Sequence, residues 1–297
     1  MNLLITGAWT DAEKYISSIE KLGHHVMFQQ HENDRLICDY DWVEGIIGNG
    51  IFLTHAIERF TNLKYIQLTS AGYDRVPIEY INKHNIVIKN ARGVYSVPMA
   101  EYAILGVLSL YKNIRFFLEN QKSHAWEKKR DLLELCGQTV CIIGCGSVGT
   151  ECAKRFNSLE CTVVGVDITI PDQRYYEMIY SVNDIKVALS RANIVVVTIP
   201  LTQSTYHLFS TSLFDAMKPG SVFVNISRGA VVDTEALVCA LNNKLGGAVL
   251  DVFEEEPLTN DDLWDNKNVI ITPHNSFVSN NNPLRLGKII IENLENL

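Results

Sequence analysis

Residues 140–149 read Val-Cys-Ile-Ile-Gly-Cys-Gly-Ser-Val-Gly, an apolar run that leads into three glycines. The run predicts a buried strand, and the glycines fit the G-x-G-x-x-G turn that joins a strand to a helix in dinucleotide-binding folds. Gly144 permits the tight turn, Gly146 lets the backbone approach a pyrophosphate, and Gly149 allows close packing of helix on strand. The stretch therefore predicts a strand–loop–helix unit that holds the phosphates of a dinucleotide.

The start of the following helix and the end of the next strand complete this predicted cofactor site. The backbone amides of Ser147 and Val148, together with the positive end of the helix dipole, face the phosphates. The next apolar run, residues 162–166, ends at Asp167, which lies 18 residues after Gly149. A carboxylate there accepts hydrogen bonds from the ribose hydroxyls and repels a 2′-phosphate, so the sequence predicts NAD rather than NADP.

Strand and helix patterns alternate on both sides of this stretch, which predicts an α/β protein with parallel sheets. The predicted strands of the first part are residues 3–6, 26–28, 45–47, 65–68 and 86–88. The predicted helices there are residues 11–22, 54–60 and one long helix, 99–118, that starts after Pro98. After Gly137 a second alternation of strands and helices begins and continues to residue 271.

A chain of 297 residues is long for one compact domain, so two domains are expected. We assign residues 95–275 to an NAD-binding Rossmann domain and residues 1–94 to a substrate-binding domain. The last segment, 276–297, is too short to form a domain and is expected to add a terminal helix to the substrate domain. The expected fold is two Rossmann-like or flavodoxin-like parallel-sheet domains with an active-site cleft between them.

Composition excludes several classes of partner. The net charge of −8 argues against nucleic acid and against an anionic membrane surface. The sequence contains no apolar run of about 18 residues and no basic leader segment, so no membrane span is expected. The seven cysteines are odd in number and form no C-x-x-C pair, which favours reduced thiols over disulfides or zinc. We expect a soluble, cytoplasmic protein without a metal site.

Several further segments match known motifs in the right order. They are Ser70-Ala-Gly-Tyr-Asp74, Pro98-Met-Ala-Glu101, Ile199-Pro-Leu-Thr-Gln-Ser-Thr-Tyr-His-Leu208, Met217-Lys-Pro-Gly220, Val224-Asn-Ile-Ser-Arg-Gly-Ala-Val-Val-Asp233, Asp251-Val-Phe-Glu-Glu-Glu-Pro257 and Thr272-Pro-His274. With these segments the chain resembles the D-isomer-specific 2-hydroxyacid dehydrogenases over nearly its whole length. The resemblance implies hydride transfer between NAD(H) and a small 2-hydroxy acid or 2-oxo acid, and a homodimer formed through the NAD-binding domain.

The resemblance also implies the catalytic residues. Arg228 matches the arginine that holds the carboxylate and carbonyl oxygens of the substrate, and a guanidinium fork suits that task. His274 matches the acid–base histidine, which donates the proton during reduction. Glu256 matches the carboxylate that orients this histidine and favours its protonated form. Because Glu254 and Glu255 are adjacent, either could be the partner instead; the place before proline favours Glu256.

The same motifs imply further residues that contact the cofactor or the substrate. Asp251 would accept the nicotinamide carboxamide, and Pro200 would border the adenine–ribose pocket. The other implied cofactor contacts are Thr205, Ile226 and Ser227. The implied substrate contacts, besides Arg228, are the backbone turn Ser70, Ala71, Gly72 and the ring of Tyr95. Two alternatives to these contacts stay open: Gly72 is an ordinary turn glycine, and Tyr95 does not contact the substrate. His207 is given no chemical role.

Two other functions remain as alternatives. A formate dehydrogenase shares the implied fold but pairs its histidine with glutamine, so Glu256 before Pro257 argues against it. An NADH-responsive corepressor-like binding protein is not excluded, because such relatives keep the catalytic residues. After His274 this chain has Asn275-Ser-Phe277, where many relatives have small apolar residues, and this departure leaves the identity of the hydroxy acid open.

Overall fold

The computed structural model describes residues 1–169, 173–259 and 261–297. The chain forms two compact units: Met1–Tyr95 with Ser279–Leu297, and Ser96–Val278. The chain therefore passes from one unit to the other twice, at 95–96 and at 278–279. The sequence predicts these two crossings at 94–95 and 275–276. Each unit is an α/β structure built on one parallel sheet.

The first unit contains five strands and three helices. The strands are β1 (Asn2–Thr6), β2 (His25–Gln29), β3 (Gly45–Gly48), β4 (Tyr65–Leu68) and β5 (Val87–Lys89). The helices are α1 (Ile16–Lys21), α2 (Ile78–Lys83) and the last helix of the chain, Asn282–Glu295. All strands are parallel, in the order β2-β1-β3-β4-β5.

Strand β1 shows why this sheet is buried on both faces. Side chains alternate along a strand, so Leu3 and Ile5 pack on one face while Leu4 packs on the other. The first face is covered by the last helix, whose Ile290 is fully buried there. The second face is covered by α2 through Ile81. A parallel sheet covered in this way carries continuous apolar runs, as the sequence predicts.

The second unit contains seven strands and seven helices among the described residues. The strands are β6 (Thr139–Ile143), β7 (Thr162–Asp167), β8 (Met178–Ser181), β9 (Ile194–Val197), β10 (Val222–Asn225), β11 (Gly247–Leu250) and β12 (Val269–Ile271). The helices are α3 (Ser96–Tyr111), α4 (Ile114–Ser123), α5 (Ser147–Ser158), α6 (Ile185–Arg191), α7 (Thr211–Phe214), α8 (Thr234–Asn243) and α9 (Asp261–Trp264).

The strand order of the second sheet indicates which edge of the sheet would bind a ligand. All strands are parallel, in the order β12-β11-β10-β9-β6-β7-β8. The chain moves outward from β6 through β7 to β8, then returns to the other side of β6 with β9. Open α/β sheets bind ligands at the carboxyl end of the strands where the order reverses. In this unit the reversal lies between β6 and β9.

Three predicted helices differ from the structure. The single helix predicted over 99–118 is two helices, α3 and α4, separated at Asn113, whose φ is 48°. Asparagine adopts this left-handed conformation more readily than most residues, and it ends the run of helical hydrogen bonds. The helix predicted over 11–22 is reduced to α1 after a short 3₁₀ turn, and that over 54–60 is one 3₁₀ turn, Ile57–Arg59.

The composition predicts reduced cysteines and no membrane-spanning helix. All seven cysteines are free thiols. In the described ranges, no helix combines the length and the apolar character needed to cross a membrane.

Candidate active site

The glycine loop lies between β6 and α5, at the point where the strand order reverses. Gly144 has a φ of 94°, and Thr198, just after β9, donates a hydrogen bond from Oγ1 to its carbonyl oxygen at 2.7 Å. A Cβ on Gly149 would lie 2.0 Å from that same oxygen, so only glycine fits at position 149. A Cβ on Gly146 would meet nothing within 4 Å, which leaves open space over the loop.

Helix α5 directs its free amides at this open space. It begins at Ser147 with Gly146 as the N-cap residue, so the amides of Ser147, Val148 and Gly149 belong to the first turn. The first amides of a helix have no carbonyl partner within the helix and can bind a phosphate. This loop therefore fits the pyrophosphate of a dinucleotide.

Asp167 is held beside the glycine loop at the end of β7. Its Oδ2 accepts a hydrogen bond from the Cys145 amide at 2.6 Å, and its Oδ1 accepts from the amide of Thr169 at 3.0 Å and from its hydroxyl at 3.2 Å. A carboxylate offers about four acceptor positions, so Oδ2 keeps one for a ribose hydroxyl. Burial raises the pKa of the Cys145 thiol to about 12, so this loop cysteine stays protonated.

The loop after β9 carries Pro200 and Thr205, both implied cofactor contacts. Thr205 donates from Oγ1 to the carbonyl oxygen of Pro200 at 2.7 Å and accepts from the Thr202 amide at 2.7 Å. These bonds close the loop on itself. In this structure Thr205 therefore shapes the segment that follows β9.

Arg228 lies in the turn after β10, and Asn225, to which the motif assigned no role, builds that turn. The side chain of Asn225 accepts hydrogen bonds from the amide of Ser227 at 3.1 Å and from its hydroxyl at 2.8 Å. It also donates to the carbonyl oxygen of Arg228 at 3.1 Å. Asn225, Ile226 and Ser227 are buried, whereas Arg228 is half-buried. An asparagine at a strand end is the signal for such a side-chain turn.

The loops after β10 and β11 are in direct backbone contact. A Cβ on Gly229 would lie 1.8 Å from the carbonyl carbon of Phe253 and 2.4 Å from the amide nitrogen of Glu254. No side chain fits between the two loops. The turn that carries Arg228 and the loop that carries the glutamates therefore pack directly against each other.

Asp251, at the end of β11, is fully buried and organises the histidine loop. Its carboxylate accepts hydrogen bonds from Thr272 Oγ1 at 2.5 Å and from the amides of Asn275 at 2.8 Å and Ser276 at 2.9 Å. Its backbone carbonyl accepts from the His274 amide at 2.7 Å. Because this side chain has no exposed surface in the structure, the carboxamide contact that the resemblance implies stays a prediction.

Thr272 extends this network to α3. Its hydroxyl shares a hydrogen bond of 2.6 Å with the hydroxyl of Tyr102. Burial raises the pKa of Tyr102, so the phenol keeps its proton. Neither residue was singled out from the sequence, because a tyrosine on a helix and a threonine at a strand end are common in structural roles.

The structure pairs Glu256 with His274. Glu256 Oε2 lies 2.9 Å from His274 Nδ1, and Oε1 accepts from the Phe253 amide at 3.1 Å. The ring of Phe277 meets the imidazole edge to face, with centroids 6.1 Å apart. His274 has a φ of 52°, a conformation held by the hydrogen bond of its amide to Asp251. The histidine side chain is 41% exposed, so it remains open to a ligand.

The neighbouring glutamates have other partners. Glu254 accepts hydrogen bonds from His207 Nε2 and from both the amide and hydroxyl of Thr234. Glu255 is exposed, and its Oε2 accepts from the Thr259 hydroxyl at 3.3 Å. Each of the three consecutive glutamates thus has its own hydrogen-bond partners, and among the described contacts only Glu256 is bonded to His274.

The implied substrate turn lies in the first unit, after β4. Ser70 donates from Oγ to the carbonyl oxygen of Gly72 at 3.1 Å, and Asn90 donates to that of Ala71 at 2.6 Å. The hydroxyl of Tyr95 donates to the carbonyl oxygen of Thr69. Burial raises the pKa of Tyr95, so it is a hydrogen-bond donor here. The side chains of Asn90 and Tyr95 therefore fix this turn.

The second unit thus carries a glycine loop after β6 and a strand-end carboxylate on β7, with an arginine and a histidine–glutamate pair after β10, β11 and β12 of the same sheet. The family model "D-isomer specific 2-hydroxyacid dehydrogenase, NAD binding domain" matches residues 104–276. The chain belongs to the D-isomer-specific 2-hydroxyacid dehydrogenase family.

Individual relatives agree with this membership. A D-3-phosphoglycerate dehydrogenase from Archaeoglobus fulgidus is 34% identical over 244 residues, which cover 81% of this chain and 46% of the relative. This chain thus spans about half the length of that enzyme. A crystal structure of a D-isomer specific 2-hydroxyacid dehydrogenase family protein from Aeromonas salmonicida has a TM-score of 0.84 at 27% identity, and covers 98% of this chain and 94% of that one. A relative from Xanthobacter autotrophicus Py2, solved with NADPH and MES, has a TM-score of 0.82 at 25% identity, with coverage of 99% and 94%.

Proposed function

We propose that this chain catalyses the reduction of a small 2-oxo acid by NADH and the reverse oxidation of the D-2-hydroxy acid. One observation carries the proposal: Arg228, Glu256 and His274 follow β10, β11 and β12, three adjacent strands of one sheet. Adjacent strands lie roughly 4.8 Å apart, so their carboxyl ends can bring three side chains to one small substrate. The glycine loop follows β6 at the same edge of that sheet.

The geometry assigns a task to each group. When bound, NADH supplies the hydride for the carbonyl carbon. The guanidinium of Arg228 can hold the substrate carboxylate and the carbonyl oxygen together. Since Nδ1 of His274 is bonded to Glu256, Nε2 is the nitrogen that gives its proton to the carbonyl oxygen. The negative charge of Glu256 stabilises the imidazolium that holds this proton before transfer.

A panel assay tests the proposal. The purified chain is mixed with NADH and with one 2-oxo acid at a time, and NADH absorbance is followed. Consumption of NADH with at least one 2-oxo acid, and formation of the D-hydroxy acid, is the expected result. Binding of NADH without turnover of any 2-oxo acid would favour a binding protein, and NAD reduction by formate would favour a formate dehydrogenase.

Glu256→Gln tests the role of the histidine's partner. The amide keeps the shape of the side chain but removes the charge that favours the imidazolium. In this variant the descending limb of the pH profile of kcat/KM for reduction should therefore lie at lower pH than in the wild type. Oxidation, which needs the neutral imidazole, should tolerate the change better. Glu255→Gln, in the same loop, is the matched control and should leave the limb in place. An unmoved limb in Glu256→Gln would rule out this role for Glu256.

Asp167 supports NAD as the preferred cofactor, because its carboxylate would face a 2′-phosphate with like charge. The next residue, Ile168, is exposed and offers no cation. Asp167→Ser combined with Ile168→Arg should raise the KM for NADH and lower that for NADPH. Their ratio should change by about tenfold or more, since two unit charges 4 Å apart interact by about 1 to 4 kcal/mol near a surface. Equal use of NADH and NADPH by the wild-type chain would contradict the role of Asp167.

We also propose the finer assignments of assembly and location. A homodimer through the second unit is supported by exposed apolar side chains on this unit, among them Leu105, Leu118 and Trp126. A cytoplasmic location is supported by the seven free thiols, since oxidising compartments favour disulfides.

A further inference from the structure

A second histidine–carboxylate pair lies next to the catalytic pair, and the proposed reaction does not use it. His207 Nε2 donates to one carboxylate oxygen of Glu254. The other oxygen of Glu254 accepts from the Thr234 amide at 2.8 Å and from the Thr234 hydroxyl. Thr234 is the first residue of α8, so the carboxylate also meets the positive end of that helix. We call the three residues His207, Thr234 and Glu254 the clamp.

The clamp joins the loop after β9 to the loop after β10. The amide of His207 donates to the carbonyl oxygen of Ala230 at 2.9 Å, and that of Phe209 donates to Val231 at 3.0 Å. His207 has a φ of 48°, a conformation that is uncommon for residues other than glycine. The loop with Arg228 is therefore bound on this side by the segment of His207.

The clamp also reaches the loop after β11. Glu254 belongs to the backbone on which Gly229 packs without any intervening side chain. Glu256, two residues further on, holds His274 Nδ1 at 2.9 Å. The two residues that follow Arg228 are therefore both in contact with these loops: Gly229 packs on the backbone of Phe253 and Glu254, and Ala230 accepts a hydrogen bond from the His207 amide.

The lowered pKa of Glu254 agrees with its hydrogen bonds in the clamp. Partial burial acts to raise the pKa of its carboxyl, but the hydrogen bonds from Thr234 and His207 outweigh burial, and the net shift is downward. At neutral pH the clamp therefore contains a carboxylate. Glu255, by contrast, is exposed and meets only the Thr259 hydroxyl among its described hydrogen-bond partners.

We propose that Glu254 and His207 are positioning residues, whose mutual hydrogen bond sets Arg228 and the Glu256–His274 pair at the spacing that reduction of a 2-oxo acid requires. The inference rests on the proposed function. Neither residue needs to touch the substrate. They act because the three loops at the ends of β9, β10 and β11 are joined through them.

The test compares Glu254→Gln, His207→Gln and the double variant with Glu255→Gln as matched control. For both single variants kcat/KM for the 2-oxo acid should fall by roughly tenfold to a hundredfold, since misplacing a reacting group by about 1 Å can cost on the order of 10²-fold. The KM for NADH should not change. The descending limb of kcat/KM should move to lower pH, because Glu256 is held less firmly against His274. The control should match the wild type in all three measurements.

The double variant separates one joint role from two independent ones. If the two residues act through their mutual bond, the double variant should lose no more activity than the worse single variant. Additive losses would overturn the clamp. A raised KM for NADH with an unmoved pH limb would also overturn it, and would make His207 a cofactor contact.

Two outcomes keep the clamp and the proposed function distinguishable. A wild-type chain without turnover of any 2-oxo acid overturns both. An active wild type with unaffected single variants overturns the clamp alone. If melting curves show that Glu254→Gln does not fold, Thr234→Val removes one donor to the same carboxylate and should give a smaller shift of the limb in the same direction. An unmoved limb in that variant would overturn the clamp.

Discussion

Replacement of His274 by glutamine is expected to lower kcat for reduction by about 10²–10⁴-fold, the usual contribution of a positioned general acid. Glutamine keeps a polar side chain after β12 but cannot donate a proton of suitable acidity to the carbonyl oxygen. The binding of NADH should stay intact, because the glycine loop and Asp167 follow β6 and β7, not β12. Stopped-flow single turnovers and NADH fluorescence titration measure the two quantities separately.

A matched comparison guards this result against a folding artefact. His84→Gln changes an exposed histidine of the first unit, which stacks on Tyr80, and should leave kcat unchanged. A kcat for His274→Gln within the range of that control would mean that another group supplies the proton.

Arg228→Gln is expected to lower kcat/KM for the 2-oxo acid by about 10²–10³-fold, the cost of removing a preorganised donor to a developing oxyanion. The loss should appear in both KM and kcat, because the same guanidinium binds the carboxylate and polarises the carbonyl. The turn itself should survive, since Asn225 builds it through the backbone of Arg228 and the side chain and backbone of Ser227. Steady-state kinetics with the 2-oxo acid varied at saturating NADH measure the effect.

Arg228→Lys distinguishes charge from geometry. Lysine restores the positive charge but not the planar fork, so it should recover only part of the lost kcat/KM. Full recovery would mean that Arg228 acts as a simple point charge. No loss in Arg228→Gln would remove it from the substrate site altogether.

The sequence predicts the buried strands and the glycine loop, because few other local structures suit the residues in those segments. Apolar runs such as 140–143 and 194–197 can only be buried parallel strands when helices alternate with them, and both are strands here. The glycines at 144, 146 and 149 mark the phosphate loop because a Cβ at 149 would overlap the backbone. These signals depend on residues close together in the chain.

Other features depend on contacts that a linear pattern does not contain. The apolar period over 99–118 continues through Asn113, so the pattern alone does not reveal that the helix ends there. The sequence leaves the partner of His274 open among three adjacent glutamates, because the direction of each side chain depends on residues that are distant in the chain, such as Thr234 and His207 for Glu254. The clamp was missed for the same reason: Glu254 and His207 are 47 residues apart.

The last helix has a consequence for the order in which the chain acquires its structure. During synthesis the strands β1 to β5 emerge first, yet Leu3, Ile5 and Ile47 gain the cover of Leu286, Ile290 and Leu294 only after residues 96–278 have been made. The second unit, in contrast, is continuous in sequence and has all its core residues at hand once β12 has left the ribosome. Until then this sheet face is covered only in part, by residues of the same unit such as Trp9 and Ile19, and apolar surface left exposed in this way favours aggregation of a nascent chain.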